Sequence, residues 1–448
     1  MRAFEIDFKW LEKNSGEPVS RETFAEITIA VRGENAAELQ DYNTHTIRKG
    51  VRASAYTLAL WLAHSWWRLR WEPKRKQPPD SWSMSHQLGA AGEGYLWPDL
   101  TFISDGRTIQ VQSRAAPQEA AQPIRYINNF DHLIPALAFE GTVDGFIDAV
   151  IGRLRDREIK DDTLSRLWND VREERRDPES TIYRRLEAIL GYDPDEAPEP
   201  ELQALIEAMK AFVSGAVEEL AAESGLNAQR DLGMLWNGVR QNASFLRIPR
   251  CDSLRTQISS VLSDIPWRAA VQAARLARDA WSMPKPPFSN ECLADRFSIY
   301  PSFFINAGEA ELSAPIHAGY RQGEPDVIGA VLKSPYPENR RFALLRLVGD
   351  HLTAPEEDRL LPAGVNSKTY RQKFQRAFAQ EVLCPYEDLM NRLGDAEPTD
   401  EAMEDAARYY MVSPFVIRSI LVNQKNVDRE RFFDEKGRPL FGDNVPGA

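Results

Sequence analysis

Arg340-Arg341-Phe342-Ala343-Leu344-Leu345-Arg346-Leu347-Val348-Gly349-Asp350-His351-Leu352 is the stretch on which the reading of this chain turns. Its apolar residues fall at 342, 344/345, 348 and 352, which is helical spacing, and they cover enough of the circumference to predict a buried helix. A second helix is predicted over Phe374-Gln375-Arg376-Ala377-Phe378-Ala379-Gln380-Glu381-Val382-Leu383-Cys384, ended by Pro385. Glu381 sits between Phe378 and Val382, and a carboxylate so placed needs a partner.

These two segments, in this order, resemble those of the ImmA/IrrE family of zinc metallopeptidases. There one helix carries the HExxH motif and a later one, similar to Ala377-Phe378-Ala379-Gln380-Glu381-Val382-Leu383, carries a third ligand. In HExxH, two His at i and i+4 share a helical face and hold Zn²⁺, while the Glu activates the metal-bound water. The resemblance implies a zincin-like, mostly helical domain over residues 262–430. It places the first His at Arg346, the catalytic Glu at Leu347, the Gly at Gly349 and the second His at Asp350, and only Glu381 keeps the family's residue. His351 lies one position late, about 100° around the helix from the required face. The degenerate site of Arg346, Asp350, Glu381 and His351 therefore implies no catalytic residue, no metal and no other cofactor. It also suggests a substitution, with Arg346 standing in for the metal between Asp350 and Glu381, since i and i+4 meet on a helix and a guanidinium can bind two carboxylates.

Working outward, the amino terminus alternates, with Phe4, Ile6, Phe8 and Trp10 on one side and Ile27, Ile29 and Val31 repeating the period, which predicts paired strands. A helix apolar on nearly all sides follows over Tyr56–Trp67. Trp66, Trp67, Arg68, Arg70 and Trp71, in a basic segment reaching Lys76, could stack on bases or a peptide, or could simply fill a core. Trp97–Gln112 reads as a hairpin, with Asp105-Gly106 as a two-residue turn between alternating strands. Pro98-Asp99 ahead of that second strand is similar to the PD-(D/E)xK nuclease core, but Gln110, Gln112 and Arg114 supply no second carboxylate for a metal.

From about Leu137 the period becomes helical, through Phe139–Leu154, Leu164–Val171, and a helix begun by Asp177-Pro178. A proline-acid connector, Asp193–Pro200, precedes another helix over Leu202–Ala222. Near the end, Thr399–Tyr410 and Val412–Leu421 form a helix-turn-helix-like pair with Ser413 and Pro414 at the second start. As a DNA reader that second helix offers only Arg418. The fold expected is α+β and multidomain: an N-terminal mixed α/β domain over 1–135, a helical domain over 136–261, the ImmA/IrrE-like domain over 262–430 and a tail over 431–448.

The 448 residues carry a net charge of −12, which opposes nucleic-acid binding by the surface as a whole. No apolar run of about 18 residues occurs and no charged-then-apolar start, so the expectation is a cytoplasmic protein with no membrane partner. Cys251, Cys292 and Cys384 are too scattered for a disulfide framework or a zinc knuckle, and the six histidines are never three or four apart. No Walker or Gly-x-Ser-x-Gly motif appears. The function these observations favour is a non-catalytic, metallopeptidase-derived regulatory protein that binds a protein or peptide. The family implies settings such as stress response, mobile-element control or phage defence. Two alternatives stand beside it: an atypical metallopeptidase using Asp350, His351 and Glu381, and a nucleic-acid binder using the aromatic-basic segment.

Overall fold

The computed structural model describes residues 2–432 apart from 76, 77, 80, 119–121, 213, 214, 264, 395, 425 and 428–430. Lys76 and residues 433–448 of the expected tail therefore lie outside the described residues. The chain is mixed α/β and divides into two compact units, residues 1–202 and 203–448. No helix among the described residues is long and apolar enough to cross a membrane.

In the first unit, β1 (Phe4–Trp10) pairs antiparallel with β2 (Phe24–Val31), from Phe4↔Val31 to Trp10↔Ala25, and β2 pairs with β3 (Val51–Ser54). The alternation read from the sequence is the burial alternation: Phe4, Ile6, Ile27, Ile29 and Val31 face the core. A second antiparallel sheet joins β4 (Asp99–Ser104), β5 (Thr108–Arg114) and β6 (Phe130–Pro135). Its first turn sits one residue later than expected. Asp105 N donates to Thr108 O, so Gly106 and Arg107 are the loop residues, with Gly106 at φ 92°. Glycine at the first loop position is what a turn of this hand requires, and the Asp105 carboxylate locks it by accepting from the Arg107 and Thr108 amides.

The predicted helix over 56–67 is broken at Ser65 into α1 (Ala55–His64) and α2 (Trp66–Trp71). Next comes α3 (Ala136–Asp156), whose buried stripe of Phe139, Val143, Phe146, Ile147 and Val150 packs into the same core as the strands. Phe139 stacks on Phe4 with ring centroids 5.7 Å apart. Each such residue contributes about 1.5–3 kcal/mol of burial, so the boundary expected near 135 falls inside one core. The helices α4 (Thr163–Arg176) and α5 (Pro178–Leu190) complete the unit, α5 capped by the Asp177 carboxylate accepting from Ser180 N.

The second unit contains α6 (Gly215–Ser224), α7 (Ala228–Asn242) and a four-stranded antiparallel sheet. Its strands are β7 (Ser244–Arg247), β8 (His317–Arg321), β9 (Val327–Val331) and β10 (Leu360–Ala363), in the order β7-β9-β8-β10. Since β7 is the outer strand, residues ahead of 262 belong to this sheet, and 136–261 is not a domain of its own. After α8 (Cys251–Val261) and α9 (Pro266–Ala280), the stretch that opened the sequence reading forms α10 (Pro337–Thr353), and Glu381 lies on α11 (Tyr370–Leu383). Both α9 and α10 pack on α11. The final pair is α12 (Asp400–Tyr410) and α13 (Pro414–Asn423); Pro414 starts α13, while the Ser413 side chain makes no capping bond.

Candidate functional site at the meeting of α10 and α11

Close approach of the two helices depends on Gly349, where an added Cβ would stand 2.7 Å from Phe378 Cδ1. This packing brings the start of α11 against the carboxylate of Asp350. Thr369 caps α11 by accepting from Gln372 N, and the first turn then presents Arg371. Its Nε and Nη2 donate to Asp350 Oδ1 and Oδ2 at 2.7 and 2.8 Å, and Nη1 donates to Asp358 Oδ2 at 2.8 Å. Both carboxylates are buried. Burial works against the Arg371 charge, yet Asp350 and Asp358 outweigh it and hold the guanidinium above its usual range.

The cation beside Asp350 is thus Arg371, not Arg346, and the expected Arg346 bridge to Asp350 and Glu381 does not form. Arg346 instead donates from Nη2 to Gln372 Oε1 at 2.6 Å, and its Nε has no partner. Burial, and then the like charge of Arg376, push its pKa well down. The physical reason is reach: Arg371 offers Asp350 a two-pronged fork from the facing helix, while the fork of Arg346 turns along α11. Glu381 lies ten residues past Arg371, about 15 Å of helix. It accepts from Tyr386 N at 3.1 Å and from Arg275 Nε at 3.5 Å, and burial raises its pKa despite them.

His351 faces away from this group. Its Nδ1 accepts from Arg321 Nε at 3.1 Å, which leaves the proton on Nε2 to donate to Pro325 O at 2.8 Å, with Cys251 Sγ 3.4 Å from the same nitrogen. Burial and then the Arg321 charge lower the pKa to about 4. Asp350, His351 and Glu381 are not gathered around one point. Among the described residues no group of three His, Cys, Asp or Glu side chains is placed to hold a metal. Leu347 is fully buried. These residues do not fit a catalytic zinc.

Arg371, Asp358 and Glu219 of this polar group escaped the sequence reading altogether. Glu219 on α6 is buried and accepts from Thr369 Oγ1 at 2.9 Å; burial raises its pKa to about 7, against the pull of Arg371. Nothing local in the sequence links 219 or 371 to 350.

The aromatic-basic segment in the first unit is interior. Trp66, Trp67, Arg68 and Arg70 are buried, and Trp71 is sandwiched between Arg70 and Arg185 at 3.7 and 4.0 Å. Arg68 donates to Glu72 at 2.7 Å and Ser85 at 2.9 Å, Arg70 to Glu140, and Trp67 Nε1 to Glu174 at 2.8 Å. Of the two readings, a stacking surface or a core, burial goes against the surface: the arginines are neutralised inside a core that the tryptophans fill. On the hairpin, Gln110 and Gln112 both donate to Asp131. No family model, curated protein or solved structure matches the chain.

Proposed function

We propose that the C-terminal part of this chain is a non-catalytic, ImmA/IrrE-like domain and that the protein acts by binding a protein or peptide partner. The observation that carries this reading is the Arg371 fork closed on Asp350, the position where the family resemblance puts a metal-binding histidine. A carboxylate with both oxygens committed to a guanidinium is a poor metal ligand, and a leucine at 347 cannot take a proton from water. The order of elements supports the reading as well: sheet, α10, β10 and α11, with α9 and α10 packed on α11, suits a zincin-like frame. Regulation in stress response, mobile-element control or phage defence is the setting the resemblance implies.

An atypical metallopeptidase has less support, because Asp350 is occupied and both His351 nitrogens have partners. Nucleic-acid binding through Trp66–Trp71 has less support because Trp66, Trp67, Arg68 and Arg70 are buried. The test is hydrolysis of unstructured peptides by untagged protein supplied with zinc. No cleavage is expected. Chelator-sensitive cleavage that Glu381→Gln abolishes would overturn the proposal.

A further inference from the structure

In the α10–α11 region, Glu219 and Glu223 lie near enough to favour the charges of Arg346 and Arg376, but neither is bonded to them. Asp350 has both oxygens on Arg371. Glu223 accepts from the amides of Asn366 and Ser367 at 2.7 and 3.0 Å, and Glu219 from Thr369. Arg346 and Arg376 have no carboxylate oxygen within 4.0 Å among the described residues. Arg346 is 4 % exposed and its Nε is unpartnered; His317, 7 % exposed, has an unpartnered Nδ1, and Gln375, fully buried, an unpartnered Oε1.

These side chains converge on one segment, Pro362–Ser367. Gln372 and Gln375 both donate to Pro362 O, at 3.2 and 3.0 Å, and Gln372 takes the Arg346 bond. His317 pairs across the sheet with Ala363, next to Pro362. Its ring lies so near Gly364 (φ 86°) that an added Cβ there would be 2.6 Å from Cδ2. Arg376, one turn beyond Gln372 on α11, donates to Val365 O at 2.8 Å and remains partly exposed. A buried donor without an acceptor costs about 1–3 kcal/mol, more when charged, so the unpartnered Arg346 Nε and His317 Nδ1, with the Arg376 charge near Arg346, point to a missing anion.

We propose that Arg346, Arg376 and His317 form a binding site for a small oxyanion of the phosphate or sulfate kind, entered past Arg376. The anion accepts from Arg346 Nε and His317 Nδ1 and lies against the Arg376 charge. This assignment rests on the residues themselves and stands whether or not the domain is catalytic. Burial, with Arg346 and Arg340 next, lowers the His317 pKa to about 3, so a neutral ring donates without adding a third charge. Glycine at 364 keeps the ring in place, since a side chain there would be strained and would collide with it.

The experiment is calorimetric titration of the full chain with inorganic phosphate at fixed ionic strength, with chloride as the control. One saturable site per chain is expected, weakened at least 10-fold in Arg376→Gln and lost in Arg346→Met. Should Arg346→Met fail to fold, the partly exposed Arg376→Gln still decides. Phosphate heats no different from chloride would overturn the site. Equal phosphate affinity in wild type and Arg376→Gln would mean an adventitious ion only, and would overturn it too.

Discussion

Arg371 lays its guanidinium across both oxygens of Asp350, at 2.7 and 2.8 Å, from the first turn of the neighbouring helix. That pairing gives unequal roles to two arginines that look alike in composition. In Arg371→Met, two buried carboxylates, Asp350 and Asp358, lose their cation, and a loss of about 3–5 kcal/mol is expected. In Arg346→Met, a buried charge with a single amide partner is removed, so the midpoint of unfolding in phosphate-free buffer should stay or rise. Chemical denaturation of the two variants side by side checks both. A larger loss for Arg346→Met would reverse the assignment.

The pH dependence follows from Glu219, whose pKa burial raises from 4.5 to about 7. Between those values the folded chain keeps a proton that the unfolded chain has released, so this group makes stability fall as pH rises through the window. The decline is on the order of 3 kcal/mol, and Glu219→Gln removes it. Subtracting the variant's denaturation free energy from the wild type's at pH 4.5 and pH 8 cancels His317 and His351, whose lowered pKa values act in the opposite sense. A flat difference would show that Glu219 is ionised throughout.

Helix contact at Gly349 is tight enough to test by adding one methyl. Alanine would gain up to about 1 kcal/mol of helix propensity, but its Cβ would meet Phe378 at 2.7 Å, and such overpacking costs about 1–3 kcal/mol. Gly349→Ala should therefore lower the melting temperature. Raised stability would mean that α10 and α11 stand farther apart.

For the first unit, residues 1–202 should unfold cooperatively as an isolated fragment, because one core gathers side chains from Phe4 to Ala188. A fragment ending at 135 lacks Phe139, Val143 and Phe146 against the strands and should not fold. Circular dichroism melts of both fragments check this; a cooperative melt for 1–135 would restore the boundary expected from the sequence.

Most elements were legible wherever period and capping agreed. The alternation around Ile6 and Ile29 gave the β1–β2 pair, Asp177-Pro178 gave the start of α5, and the apolar spacing from Phe342 to Leu352 gave α10. What period cannot give is which element a face packs on. The change of pattern near 135 looked like a border, yet α3 closes the core of the strands before it. Polarity misled in the same way at Arg68 and Arg70, which are interior because Glu72 and Glu140 pair with them. At the candidate site the sequence singled out Asp350 and Glu381 but paired them with Arg346, Asp350 by its i to i+4 spacing and Glu381 through the family resemblance. Arg371 and Glu219 meet Asp350 and Thr369 through long-range packing.

The most direct test of the account is the zinc content of untagged protein after incubation with excess zinc and desalting, measured beside Arg371→Met and Glu381→Gln. The account predicts well under one zinc per chain in the wild type and no change in Glu381→Gln, since Asp350 is held by Arg371 and Leu347 offers no oxygen. One tightly held zinc per chain in the wild type, lost in Glu381→Gln, would contradict it.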